Sequence, residues 1–179
     1  MSTASTAHLS GAQLSFSIVQ TPIGRLLLAS GPRGLVRIAF ENEDFGRVLS
    51  ELEAVTGLAP IGDEAALAPA ERELAEYFAG SRREFSVDLD LGLTSGFRRT
   101  VVEEMGKIPY GQTSTYGELA ARAGSPLAAR AVGSACATNP LPIIYPCHRV
   151  VRRGGGPGGY LGGREVKEYL LQMERQNRA

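Results

Sequence analysis

The chain has 179 residues, 43% hydrophobic and 21% charged, with a net charge of zero. This is enough length and apolar content for one core or two small ones, and no apolar run approaches the roughly 20 residues of a membrane helix. With two cysteines and two histidines, there are too few soft ligands for a zinc site. No metal and no cofactor are expected, and no disulfide framework either, which points to a reducing cytoplasm. The neutral total hides an asymmetry. Residues 1–91 carry seven Lys and Arg against thirteen Asp and Glu, a net of −6; residues 92–179 carry twelve against six, a net of +6. Only the second half is suited to meet a polyanion.

The first dozen residues, including His8, are small and polar, without the layout of a secretory signal, and read as a flexible tail (1–12). Leu14–Ile18 alternates apolar and polar residues as a half-buried strand does. Thr21-Pro22-Ile23-Gly24 and Gly31-Pro32-Arg33-Gly34 are turns separating strands at 25–29 and 35–40, so an antiparallel meander is predicted. Pro69 is read as opening a helix that places Leu74, Tyr77 and Phe78 on one face and ends at Gly80. Residues 85–91 (FSVDLDL) give the cleanest alternation in the chain, with both aspartates on one face. Residues 13–91 thus read as a small α+β domain with an antiparallel sheet and no chemical signature.

From residue 92 to 179 the pattern is mainly helical. Phe97, Val101, Val102 and Met105 form an apolar stripe, and Thr115-Tyr116-Gly117-Glu118 has capping-box spacing at the head of a short helix that stops at Gly124. Ser125-Pro126 supplies an N-cap and first-turn proline for a second helix, and the pair reads as a helix-turn-helix. That second helix, Ala128-Ala129-Arg130-Ala131-Val132-Gly133-Ser134-Ala135, carries small side chains around one arginine. Such a helix either packs closely in a tight interior or presses its backbone against a nucleic-acid groove while Arg130 reaches in; the basic half favours the groove. Ile143-Ile144-Tyr145 reads as a short buried strand leading to Pro146-Cys147-His148-Arg149-Val150. A thiol beside a histidine is a candidate nucleophile with its base, whereas Cys136, among small apolar residues, reads as buried and inert. The glycine-rich stretch 154–159 is either a hinge or the wall of a site for a bulky ligand. In the last helix Glu174 borders the stripe of Val166, Tyr169, Leu170 and Met173, and His148 is chemically suited to be its partner.

Tyr116, Ala129-Arg130-Ala131-Val132-Gly133, Asn139-Pro140, Pro146-Cys147-His148-Arg149-Val150, Gly159-Tyr160, Gly162-Gly163, and Leu170-Leu171 with Glu174 occur in an order and spacing that resemble the O6-alkylguanine-DNA alkyltransferase family, also called methylated-DNA–protein-cysteine methyltransferases. The likeness is specific over residues 97–175 and looser before them, through Thr21-Pro22-Ile23-Gly24 and Tyr77-Phe78-Ala79-Gly80. It implies a monomer that binds double-stranded DNA in the minor groove through Ala128, Ala129, Arg130, Ala131, Gly133 and Tyr116. Arg130 would fill the stack while an O6-alkylguanine flips out. It also implies that Cys147 takes the alkyl group once and irreversibly, that His148 accepts the thiol proton and Glu174 orients the imidazole, and that Tyr116 donates a proton to the base. By the same likeness Asn139 braces the link between recognition helix and active-site segment, and Pro142, Tyr145, Val150, Tyr160 and Leu161 line the base pocket.

Several positions depart from the family pattern. The first helix has Phe97-Arg98 and Val101-Val102 where Phe-Gln and Val-Trp are usual, Leu161 replaces a small residue, and Tyr145 replaces an aliphatic one. Arg152-Arg153 adds charge near the site, while Ala137-Thr138 lacks a basic residue found in some members. These bear on substrate range. Two further functions fit the same segments: a lesion-binding protein that transfers nothing, which would not need Cys147, and a cysteine enzyme acting on a small alkylating metabolite. A bare helix-turn-helix regulator would need none of Cys147, His148 and Glu174.

Overall fold

The computed structural model describes residues 12–177; His8 and the expected N-terminal tail lie almost entirely outside them. Three strands, β1 (Leu14–Thr21), β2 (Gly24–Gly31) and β3 (Gly34–Phe40), form the antiparallel meander, with Ser17 opposite Leu28 and Leu28 opposite Ile38. The first turn is closed by Thr21, whose Oγ1 donates to the Gly24 carbonyl (2.6 Å) and accepts from the Ile23 amide (3.2 Å). A helix α1 (Phe45–Thr56) follows, capped by the Asp44 carboxylate on the Gly46 and Arg47 amides. A short strand β4 (Pro60–Gly62) then joins the sheet parallel to β1, giving the order β3-β2-β1-β4.

The sheet is buried on both faces, which is why Leu26, Leu27, Leu28 and Ala29 of β2 are all at 0% exposure. Leu27, Ala29, Val36 and Ala39 pack on Val48 and Leu52 of α1. Leu26, Leu28, Ile38 and Phe40 face α2 (Glu64–Phe78) through Leu67, Leu74 and Tyr77, and the same apolar cluster continues into Val101, Leu119, Val132, Cys147 and Leu170. One core therefore serves both halves of the chain.

Two expectations in the N-terminal half are corrected. Pro69 does not open α2 but sits inside it; the helix starts five residues earlier, where the Asp63 carboxylate accepts from the Ala66 amide (3.0 Å). Proline removes one helical hydrogen bond there, and burial of Leu67, Ala70, Leu74 and Tyr77 holds the helix together across it. The alternating segment 85–91 is no regular strand, since it touches the sheet through a single bridge between Leu35 and Leu89. Its side chains nonetheless alternate as read, with Phe85, Val87 and Leu89 half-buried against the core.

The C-terminal half consists of α3 (Gly96–Gly106), β5 (Ser114–Thr115), α4 (Tyr116–Arg122), α5 (Ala129–Ala137), β6 (Val150–Val151) and α6 (Arg164–Gln176), with β5 and β6 paired in parallel. The capping box forms: Thr115 Oγ1 accepts from the Glu118 amide (3.2 Å), and the Glu118 carboxylate accepts from the Thr115 amide (2.7 Å). The second helix of the pair starts later than Ser125-Pro126 suggests. Residues 125–128 make a separate turn, closed by the Ala128 amide on the Ser125 carbonyl (2.9 Å), and the helix begins at Ala129.

Ile143-Ile144-Tyr145 is a turn, not a strand, with Ile143 at φ +76. A β-branched residue is strained in that region. Asn139 fixes the turn, because its side chain accepts from the Leu141 amide (3.1 Å) and donates to the Tyr145 carbonyl (2.7 Å). These are backbone groups that a strand would have used in a ladder.

Candidate active site

Cys147 does not end a strand; it opens a 3₁₀ turn, Cys147–Arg149, that leads into β6. The thiol is 2% exposed and accepts a hydrogen bond from Asn139 Nδ2 (3.3 Å), so one side chain both shapes the 141–145 turn and touches the sulfur. Burial pushes the Cys147 thiol up from 9.0 to about 11, although Asn139 and the Lys167 charge pull the other way. The resting group is a protonated thiol, which needs a base in order to react.

His148 and Glu174, 26 residues apart, meet at 0% exposure, with Nε2 2.8 Å from Glu174 Oε1. Burial pushes Glu174 upward, but His148 and Arg149 outweigh it and hold the carboxyl well below its ordinary value. Arg149 donates through Nε to Oε2 (2.9 Å) and through Nη2 to Oε1 (2.8 Å). An ionised carboxylate can only accept, so His148 carries its proton on Nε2 and Nδ1 is left as the basic nitrogen. Burial, reinforced by the Arg149 and Lys167 charges, lowers the His148 pKa and keeps the ring neutral. Its Nδ1 is buried with no partner among the described residues. A neutral imidazole with a free lone pair, next in sequence to a thiol, is equipped to take a proton.

Four participants carried no assigned role in the sequence reading. The Tyr77 hydroxyl of α2 donates to Glu174 Oε1 (2.7 Å), and the Gly111 amide donates to Oε2 (3.0 Å). Arg149 also donates to the Ile108 carbonyl (2.6 Å). Lys167, at 0% exposure, donates to the Val150 carbonyl (2.6 Å). The available signal for Lys167 was its spacing: positions 167, 170 and 174 share one helix face, so a charged residue there enters the buried stripe.

A cavity of about 640 Å³ lies between α5 and the loop before α6, lined by Tyr116, Ala129, Arg130, Gly133, Cys136, Arg152, Gly159, Tyr160 and Leu161 among others. Of the glycine-rich stretch, Gly159 lines the cavity and Gly158 packs on Tyr116. Gly158 adopts φ +69, and a Cβ there would lie 2.8 Å from the Tyr116 hydroxyl, so the tyrosine is seated directly on that backbone. Tyr160 lines the cavity, its hydroxyl buried and influenced by the Cys147 thiol and its ring edge-on to His148 at 6.4 Å. Cys136 also lines the cavity, its thiol pushed up to about 12, by burial first and the nearby Cys147 second. Arg130 and Ala131 are exposed on α5, and Ala128 caps its start.

Of the residues expected around a base, Tyr160 and Leu161 line this cavity. Tyr145 instead lines a separate cleft of about 700 Å³ with Lys107 and Tyr110, its ring against Gly106. Pro142 and Val150 are buried, with Val150 paired to Ser114. Arg98 is tied to the Leu93 carbonyl (2.6 Å). Both cysteines are free, no cluster of potential metal ligands occurs among the described residues, and none of the described helices is long and apolar enough to cross a membrane.

Two family models match the chain: the 6-O-methylguanine DNA methyltransferase ribonuclease-like domain over residues 14–91 and the DNA binding domain of the same name over residues 96–176. The chain is 38% identical over 159 residues to a methylated-DNA–protein-cysteine methyltransferase of Methanosarcina acetivorans, covering 89% of this chain and 97% of that protein. It is 37% identical over 161 residues to the constitutive enzyme of that name from Bacillus subtilis, covering 89% and 94%. Among solved structures, Mycobacterium tuberculosis OGT in complex with DNA superposes with a TM-score of 0.80 at 37% identity, covering 91% of this chain and 94% of that one.

Proposed function

The chain belongs to the 6-O-methylguanine DNA methyltransferase family, and on that premise we propose that Cys147 is the cysteine that receives the alkyl group. The protein is a DNA-binding repair methyltransferase of the methylated-DNA–protein-cysteine class. The observation that carries the assignment is the His148–Glu174 pair, which leaves His148 Nδ1 buried and proton-free on the residue that follows the protonated Cys147 thiol in sequence. Cys136, the other thiol, donates to the Met105 sulfur (3.6 Å).

The reaction is a direct displacement. The Cys147 sulfur forms a bond to the alkyl carbon as the bond from that carbon to guanine O6 breaks, and the thiol proton passes to His148 Nδ1, directly or through one water. Lys167 favours the developing thiolate. Tyr116, held protonated by burial and the two nearby thiols, gives a proton to the departing guanine. Asn139 keeps the sulfur in line by holding the 141–145 turn. The product is a thioether with no leaving group to restore the thiol, so each molecule acts once.

The substrate is double-stranded DNA carrying O6-alkylguanine. Exposed Arg130 on the small-residue face of α5, with Arg152 across the cavity mouth, suits a monomer approaching the minor groove and flipping the base into the 640 Å³ cavity. Leu161 lines that cavity, so it bears on which alkyl groups fit. A reducing cytoplasm would keep Cys147 competent.

The test is to mix the protein with a duplex bearing one O6-methylguanine and weigh the peptide containing Cys147. A methyl adduct in wild type that disappears in Cys147→Ala is the expected result. Binding with no adduct would sink the transfer reading in favour of a lesion-binding protein, and alkylation only by a free metabolite would favour the small-molecule enzyme.

A further inference from the structure

The Glu174 carboxylate lies in the C-terminal half, yet one of its hydrogen bonds comes from 97 residues away in the N-terminal half. Tyr77 is 0% exposed near the C-terminal end of α2, with Phe78, Phe85 and Tyr110 packed around its ring. A phenylalanine would fill that space equally well, so packing does not explain the hydroxyl. The hydroxyl is aimed at Oε1, the same oxygen that holds His148 Nε2.

We propose that Tyr77 is a positioning residue for the alkyl transfer: its hydroxyl fixes the Glu174 carboxylate and tempers its pull on the His148 proton, so the N-terminal half takes part in setting the base. The proposal rests on the Cys147–His148–Glu174 reading. Burial, then the Glu174 charge, hold the Tyr77 phenol protonated well above its ordinary range, so it remains a donor throughout the working pH range. The groups facing the His148–Glu174 pair are Tyr77 from α2, Tyr110 and the Gly111 amide from the loop before β5, Arg149 and Cys147 from the 3₁₀ turn, and Tyr160 and Lys167 around α6. Among these, Tyr77 is the neutral side chain that donates to the oxygen shared with the imidazole.

Removing that donor concentrates charge on Oε1, strengthens its interaction with the imidazolium form, and raises the His148 pKa. Tyr77→Phe keeps the ring and removes the hydroxyl. At saturating O6-methylguanine duplex, its single-turnover rate near neutral pH should fall about tenfold, with the DNA concentration for half-saturation unchanged. The acid limb of the rate profile should move to higher pH. Ring-nitrogen NMR gives a readout independent of transfer, because the chain has only His8 and His148 to resolve. The His148 midpoint should rise in Tyr77→Phe and stay put in Asn42→Ala, which removes a different contact between the halves, from Asn42 Nδ2 to the Leu161 carbonyl (3.0 Å).

An unmoved or lowered His148 midpoint overturns the proposal, as does a rate loss uniform across pH that tracks the folded fraction. Wild type that titrates as expected but leaves no methyl on Cys147 would instead refute the functional reading, and the NMR midpoints would still decide the role of Tyr77.

Discussion

Glu174 gathers hydrogen bonds from His148, Arg149, Tyr77 and the Gly111 amide at 0% exposure. All of these are donors, so Glu174→Gln must turn an amide NH₂ toward at least one of them while leaving the buried Arg149 without a counter-charge. Stranding one member of a buried ion pair costs about 3–5 kcal/mol. The expected outcome is a loss of that size in urea unfolding together with a fall in methyl-transfer rate of about a hundredfold or more, since the imidazole tautomer is no longer enforced. A rate loss with no loss of stability would mean that Arg149 has another partner. At this scale the sequence was partly legible. Glu174 stood out because it borders an apolar stripe, and Cys147-His148 because the residues adjoin. Arg149 was visible inside the same motif but carried no role of its own. Its burial depends on the Ile108 carbonyl and Glu174, which reach it only after folding.

Local elements were readable where their signal was local. The Thr115–Glu118 capping box needs four consecutive residues and forms as read, seating Tyr116 at the first position of α4. The helix α1 carries an equally local signal: Phe45, Val48, Leu49 and Leu52 at helical spacing behind an Asp44 cap. The turn at 141–145 was not readable, because three apolar residues suit a strand until Asn139 claims their neighbours' backbone groups. The recognition helix is the element with the sharpest consequence. The side chain of Arg130 is exposed on a face of alanine and glycine, so its removal disturbs no packing. Arg130→Ala should leave the unfolding midpoint within experimental error. It should slow repair of O6-methylguanine in a duplex by about tenfold or more, the cost of an unfilled stack being a few kcal/mol. Reaction with free O6-benzylguanine, which needs no flipping, should change little. Equal losses on both substrates would place Arg130 in the chemistry rather than in base extrusion.

Across the whole molecule, the two halves that composition separates by charge are joined by one apolar cluster and one buried ionic centre, so they should unfold together, with the buried titrating groups shaping a single curve. His148 is lowered from its ordinary 6.5, chiefly by burial, so the unfolded chain takes up a proton that the folded one refuses as pH drops below that value. Glu174, held below its ordinary 4.5 against the effect of burial, adds a second loss as pH falls under that value. Both shifts therefore place stability at higher pH and withdraw it on acidification, in two stages. The thiols act in the opposite sense. Burial raises Cys147 from 9.0 to about 11 and Cys136 to about 12, so the unfolded chain ionises first and stability declines once pH passes 9. For Cys147 alone that alkaline decline amounts to about 3 kcal/mol when complete. Urea unfolding across pH 5 to 10.5 (roughly the range in which such shifts can be followed) should give a dome flat between the His148 and thiol limbs. Cys147→Ala deletes one titrating group without touching the acid side, so it should make the alkaline limb shallower, with Cys136 still contributing, and leave the acid limb in place. The methylated protein should behave the same way on the alkaline side, because a thioether cannot ionise. An alkaline limb equally steep in wild type, Cys147→Ala and methylated protein would show that the buried thiol does not govern it.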